Sequence, residues 1–316
     1  MNLKDLIPTY RKVNEEIYQY KFTVFTPVFN CKQSIERVHQ SLINQTYKDF
    51  EWLIINDGST DRSHQVITKI TKNSPLTIHY INNIENRHKM SCFLQAISLA
   101  KGEFLLTFDG DDECVPDALN IFNEEFAKVP KNLKEKLCAV TALCQDQYGK
   151  SVGDKFPDNP YYSNTFNSHA IDGIKGEKWG FTKTSVLKGV NVNNQILSKG
   201  LIPESLIWNL IAKEGYVTKY INEVLRIYHI GVENSLSSLC AKKTAYGKCI
   251  VCIARFNWFF SSNCFKAPKY FLKSLYVLLR ASKYLPYKIT DYLKAIDSIL
   301  IKFLIVTLWP FRKLMK

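Results

Sequence analysis

Three carboxylates fall within four residues at Asp109, Asp111 and Asp112, with Gly110 between the first two. They follow Phe104-Leu-Leu-Thr-Phe108, an apolar run too short for a typical helix and suited to a buried strand. Acids this close repel one another unless a cation sits among them. A hard divalent ion takes oxygen ligands and keeps positions open for substrate phosphate, so Mg²⁺ or Mn²⁺ is one resolution. A solvated acidic turn that merely closes the strand is the other. Gly110 permits a tight turn that aims Asp109 and Asp111 at one crevice. In open α/β sheets such a crevice, at the carboxyl ends of the strands, is where ligands bind.

Other elements must bring that crevice together. Phe22-Thr-Val-Phe-Thr26 reads as a first buried strand leaving through Pro27-Val-Phe-Asn30, and Trp52-Leu-Ile-Ile55 as a second leading into Asn56-Asp-Gly-Ser-Thr-Asp61. Residues 76–81 supply a third, and helical spacing recurs over residues 33–44, 90–100 and 115–126. Strand–helix alternation with short turns predicts a mostly parallel, doubly wound sheet. Right-handed crossovers then place all three polar strand exits on one edge. Asp61 suits a helix cap, and is left out of the site on that ground. Further on, residues 137–143 read as a strand with a hairpin at Gln147-Tyr-Gly-Lys150. Residues 151–174 read as a long mobile loop, Pro203-Glu-Ser205 opens a helix, and residues 217–228 are extended. Residues 1–20 carry an amphipathic pattern that predicts a helix.

The chain has 316 residues and is 46% hydrophobic, enough for a sizeable core. Its net charge of +13 is localised: residues 240–316 hold 15 Lys and Arg against Asp291 and Asp297, while residues 1–239 balance at 27 of each sign. This predicts two regions, 1–239 and 240–316, the second meeting an anionic partner. Nine cysteines sit mostly in apolar segments and no continuous apolar run opens the chain, so reduced thiols and a cytoplasmic location are expected. Cys249-Ile-Val-Cys252 has redox or zinc spacing but no second ligand pair, and packing within a helix is the reading adopted.

In order, Thr26-Pro-Val-Phe-Asn30, Asn56-Asp-Gly-Ser-Thr-Asp61, Ala100-Lys-Gly-Glu103 and Asp109-Gly-Asp-Asp112 resemble the motifs of the family 2 glycosyltransferases. Residues 216–237, with Leu225-Arg-Ile-Tyr228 and Asn234-Ser-Leu-Ser237, resemble that family's closing strand and loop. The resemblance covers residues 22–238 and implies a GT-A fold: one α/β domain whose mostly parallel open sheet is flanked by helices, here followed by a helical C-terminal extension. It implies a nucleotide-sugar donor, with Pro27 and Phe29 cradling the base and Asp57 contacting base or ribose. A carboxylate accepting from a uracil N–H makes a UDP-sugar the favoured donor. Asp109 would lie near ribose and sugar. Asp111, assisted by Asp112, would hold Mg²⁺ or Mn²⁺ across the donor phosphates. Arg87 and Lys89 depart from the small turn usual at their position; they would grip donor phosphate or form a solvated basic loop.

Activation of an acceptor hydroxyl needs a base. Where the family has paired acids this chain has Pro203-Glu204-Ser205, so Glu204 is the candidate, with a helix-dipole role as its alternative. No second carboxylate offers itself as nucleophile, which implies inversion. His229 is a metal or phosphate contact in some relatives and otherwise structural. Trp179 either stacks on a sugar or anchors a core. The implied activity is sugar transfer to a saccharide or lipid-linked saccharide acceptor in surface polysaccharide synthesis. A noncatalytic nucleotide-sugar-binding scaffold is the alternative.

In the basic region, a helix from Pro268 places Lys269, Lys273, Arg280 and Lys283 opposite Phe271, Leu272, Leu275, Leu278 and Leu279. Such a helix can lie in an anionic membrane interface. The apolar run over residues 299–309 would span roughly 17 Å as a helix, short of the ~30 Å hydrocarbon core, so it dips in rather than crosses. The expectation is peripheral association with the inner face of the cell membrane. Nucleic acid is excluded for want of a reader motif.

Overall fold

The computed structural model describes residues 2–14, 16–197, 199–231 and 241–315. The expected closing motif at residues 234–237, and the boundary drawn between the two regions, lie outside them. Four strands build the first half of the sheet: β1 (Tyr20–Val28), β2 (Phe50–Asp57), β3 (Ile78–Asn83) and β4 (Gly102–Thr107). They are parallel in the order β3-β2-β1-β4, as their crossover helices require. Every residue of β2 is buried. Trp52 and Ile54 face a core formed with α1 (Ile35–Ile43), α2 (Ser63–Asn73) and α4 (Ala118–Ala127), while Leu53 and Ile55 face the opposite core, which includes α3 (His88–Leu99). Burial on both faces is why this strand reads as an unbroken apolar run.

Beyond β4 the sheet becomes mixed. A short β5 (Glu113–Cys114), β6 (Leu137–Asp146), β7 (Tyr161–Ser163), β8 (Lys178–Lys183) and the long β9 (Val217–Tyr228) complete it. The order continues β4-β8-β6-β9-β5. β8 lies antiparallel between β4 and β6, whereas β6 and β9 are parallel.

Two expectations change. Among the described residues of 1–20, the expected helix does not form. A single turn, Leu3–Leu6, ends where Pro8 disfavours helix at Ile7, and Thr9–Tyr10 then pairs with Val190–Asn191. Residues 151–174 are not an unstructured loop. They supply β7, which pairs with β9, and a wide helical turn, Asn167–Ile171, pinned by Phe156 and Phe166 at 4% and 2% exposure.

The C-terminal region is helical: α5 (Ser205–Lys213) of the first half is followed by α6 (Ala241–Arg255), α7 (Pro268–Ser282), α8 (Ile289–Ala295) and α9 (Ile299–Leu308). α6 and α7 share one hydrophobic core with α3, α5 and the inner face of β1, β2 and β4. Phe259 stacks on Phe166 with centroids 4.0 Å apart. Cys249 and Cys252 are buried in α6 with free thiols, so packing accounts for their spacing. Among the described residues, no helix is long and apolar enough to cross a membrane.

Candidate active site

The three strand exits meet at one edge and are stitched together by side chains. Asn30, at φ 58°, places its Oδ1 to accept from the backbone N–H groups of Thr60 and Asp61, joining the loops after β1 and β2. Ser34 Oγ donates to Gly110 O at 2.7 Å, and Arg37 Nη2 donates to Asp111 O, joining the first loop to the acidic turn. Asp61 accepts from Ser63 N, the first residue of α2, and from Lys32 N in the loop after β1.

Asp57, at 4% exposure, closes β2 and accepts from Arg87 N at 2.9 Å, fixing the approach to α3. Two residues on, the ammonium of Lys89 lies 2.7 Å from Asp109 Oδ1 and 3.3 Å from Glu204 Oε1. Lys89 therefore ties the acid after β4 to the acid at the head of α5. Arg87 itself is exposed at the rim, Phe29 is 47% exposed and Pro27 is half-buried. The other oxygen of Asp109 receives Arg226 Nη2 at 2.9 Å. Burial alone would raise the Asp109 carboxyl, but the charges of Lys89 and Arg226 outweigh it and hold the group well below the ordinary carboxylate range.

Adjacent acids have different surroundings. Asp112 is fully buried: Oδ2 accepts from both Arg226 Nε, at 2.7 Å, and Nη2, while Oδ1 accepts from His229 N at 2.9 Å. The expected metal-ligand role of Asp112 is not what this geometry provides, because both oxygens are turned inward to fix β9 and the His229 turn. Asp111 is the opposite case. Among the described residues its carboxylate has no ion-pair partner, and burial with the charges of Asp112 and Asp109 pushes its pKa up to about 6. A carboxylate left electrostatically unbalanced in this way suits a cation. No group of three or more His, Cys, Asp or Glu side chains among the described residues forms a ready-made metal cage. One carboxylate completed by substrate phosphates is, however, the usual Mg²⁺ arrangement. His229 is used structurally, its Nε2 2.7 Å from Glu113 Oε1.

Glu204 occupies the N-cap position at the head of α5. Its Oε1 is buried and makes no hydrogen bond, with Lys89 at ion-pair distance only. It lines a cavity of about 460 Å³ shared with Lys89, Asp109 and Trp208. The segment leading to it is braced by α6, where a Cβ at Gly247 would fall 2.2 Å from Leu201 O, so only glycine allows the approach. Trp179 is a buried anchor at 3% exposure, donating from Nε1 to Thr107 O at 2.7 Å and packed on Phe108 and Phe122. Arg226 and Arg37 were missed by sequence reasoning. A lone arginine between Leu225 and Ile227 in an extended run was the available signal, since a buried strand arginine requires acids.

Residues 23–133 match the sequence model of Glycosyl transferase family 2. Chondroitin synthase of Pasteurella multocida is 34% identical over 145 residues, 46% of this chain and 14% of that protein. The chain therefore spans about one-seventh of that relative and a similar share of the hyaluronan synthase of the same organism. GalNAc(5)-diNAcBac-PP-undecaprenol beta-1,3-glucosyltransferase of Campylobacter jejuni is 26% identical over 234 residues, 72% of this chain and 70% of that protein. Among solved structures, S. aureus TarS 1-349 in complex with UDP-GlcNAc superposes with a TM-score of 0.60 at 16% identity, covering 92% of this chain and 88% of that one. The sheet, its flanking helices and the acidic edge define a GT-A fold. Over residues 23–133 the chain is similar to the family 2 glycosyltransferases.

Proposed function

We propose that the protein transfers a sugar, with inversion, from a UDP-sugar to a hydroxyl of a saccharide or lipid-linked saccharide in surface polysaccharide synthesis. The observation that carries this reading is the juxtaposition at one edge of Asp57, Asp109 and the unbalanced Asp111, with Glu204 linked to Asp109 through Lys89. Phe29 and Pro27 offer an apolar seat for the base beside Asp57. Arg87 and Lys89 supply positive charge where donor phosphate would lie. Mg²⁺ or Mn²⁺, held by Asp111 and the donor phosphates, would neutralise the charge that develops on the departing diphosphate. Glu204 Oε1, free of hydrogen bonds, takes the proton of the acceptor hydroxyl as that oxygen attacks the anomeric carbon. Asp109, locked between Lys89 and Arg226, orients the sugar rather than forming a bond to it.

A lipid-linked acceptor is supported by the undecaprenol-linked saccharide in the name of the Campylobacter relative and by the outer surface of α9. There Ile299, Leu300, Phe303 and Val306 are 51–82% exposed while Ile301 and Ile305 face the core. With the basic excess of residues 240–316, this face fits the anionic inner surface of the cell membrane. The enzyme reading is tested by titrating UDP into the protein with Mn²⁺ in a calorimeter. Asp111→Ala is expected to lose the metal-dependent part of the affinity, and unchanged affinity would refute the assignment.

A further inference from the structure

Four basic side chains line the cavity that holds Glu204: Lys89, Lys178, Arg226 and Arg255. Three already have oxygen partners. Lys89 and Arg226 are paired with carboxylates, and Lys178 Nζ donates to the carbonyls of Lys175 and Glu177. Arg255 differs. It ends α6, its Nε is buried without a hydrogen-bond partner, and among the described residues no carboxylate lies within ion-pair distance. Its guanidinium lies over the ring of Tyr270 on α7, 5.1 Å from the centroid, a cation–π contact that leaves its charge unneutralised. Tyr270 in turn packs edge-on against His169 of the helical turn, which lines the same cavity.

A buried arginine donor left unbonded is costly unless a ligand completes it. The half-buried Arg255 lines this cavity from a helix of the C-terminal region, with its Nε enclosed and unbonded. We infer that Arg255, with His169 and Tyr270 beside it, forms a subsite for an oxyanion, a carboxylate or a phosphate, carried by the acceptor. This deepens the proposed reaction and rests on it: the acceptor is an acidic or phosphorylated saccharide, and its anion is held by the C-terminal region while its hydroxyl meets Glu204.

The test uses the full chain with saturating UDP and Mn²⁺, and follows the fluorescence of Trp208, which lines the cavity. The probes are methyl β-glucuronide, methyl β-glucoside 6-phosphate and neutral methyl β-glucoside. At least one anionic probe is expected to bind about tenfold more tightly than the neutral one, as a charge-assisted hydrogen bond provides. Preference for the glucuronide identifies an acidic sugar, and preference for the phosphate identifies a phosphorylated acceptor. Arg255→Gln should abolish the preference and Arg255→Lys should keep part of it, with UDP affinity unchanged in both. Equal binding of all three probes by the parent protein, or an anion preference that survives in Arg255→Gln, would overturn the subsite. Failure of UDP to bind the parent at all would strike the glycosyltransferase reading instead, and the anion preference can be read without nucleotide.

Discussion

Replacing Arg226 by methionine tests how the acidic turn is held. The guanidinium side chain is 6% exposed and that of Asp112 is 1% exposed, so solvent does little to screen the pair. Removal leaves Asp112, among the described residues, with only the His229 N–H, and Asp109 with only Lys89. Stripping one member from a buried ion pair costs about 3–5 kcal/mol, a large fraction of the roughly 5–15 kcal/mol available to a protein. Urea unfolding monitored by circular dichroism should show a loss of that size. The double variant R226M/D112N should regain about 1–3 kcal/mol, because an amide leaves no stranded charge. The pH dependence provides a second readout. Asp109 is held below its ordinary value of 3.8, so it contributes stability above that pH and loses it as pH falls through the depressed folded value. Acid destabilisation of the parent therefore includes a component below about pH 4 that R226M should reduce but not abolish, since Lys89 still faces Asp109. An R226M protein within about 1 kcal/mol of the parent, with the same acid limb, would refute the anchor role.

Glu204→Gln should lower turnover by about 10²–10⁴-fold while calorimetric UDP affinity stays at the parent value; parent-level turnover would remove the base assignment. Gly247→Ala drives a methyl into Leu201 O and should cost about 1–3 kcal/mol in thermal or urea unfolding, with turnover falling because the segment bearing Glu204 moves; an unperturbed variant would contradict the tight packing. Phe303→Asp with Val306→Asp should leave unfolding free energy nearly unchanged, since both are more than half exposed. The same pair should sharply reduce sedimentation with vesicles containing phosphatidylglycerol, and undiminished sedimentation would count against α9 as the membrane face.

The parallel half of the sheet was legible because its strands are buried on both faces and end in turn-forming polar residues. Those two features leave local marks, as at Trp52–Asp57 and Phe104–Asp109. The mixed half was legible only in part. β8 inserts between β4 and β6 by contacts distant in sequence, and nothing near Lys178–Lys183 announces its antiparallel register. The aromatic segment 151–174 reads as loop because its order comes from tertiary stacking of Phe156, Tyr161 and Tyr220. Within the site, residue types singled out the acidic turn but could not distribute its acids. Asp111 and Asp112 are neighbours, yet among the described residues one has no ion-pair partner and the other holds an arginine 114 residues away. Nor could spacing show that Lys89, read as a phosphate clamp or a solvated loop residue, bridges Asp109 and Glu204.

The fit of α6 against the catalytic half makes the basic region inseparable from it. α6 presses Gly247 on the backbone just ahead of Glu204 and sends Arg255 into the same chamber. A fragment stopping at residue 231 would lose the roof of that chamber and leave the apolar flanks of α3 and α5 bare to water. Anyone dissecting the protein should treat the helices after residue 241 as part of that chamber's floor plan, not as an anchor that can be cut away.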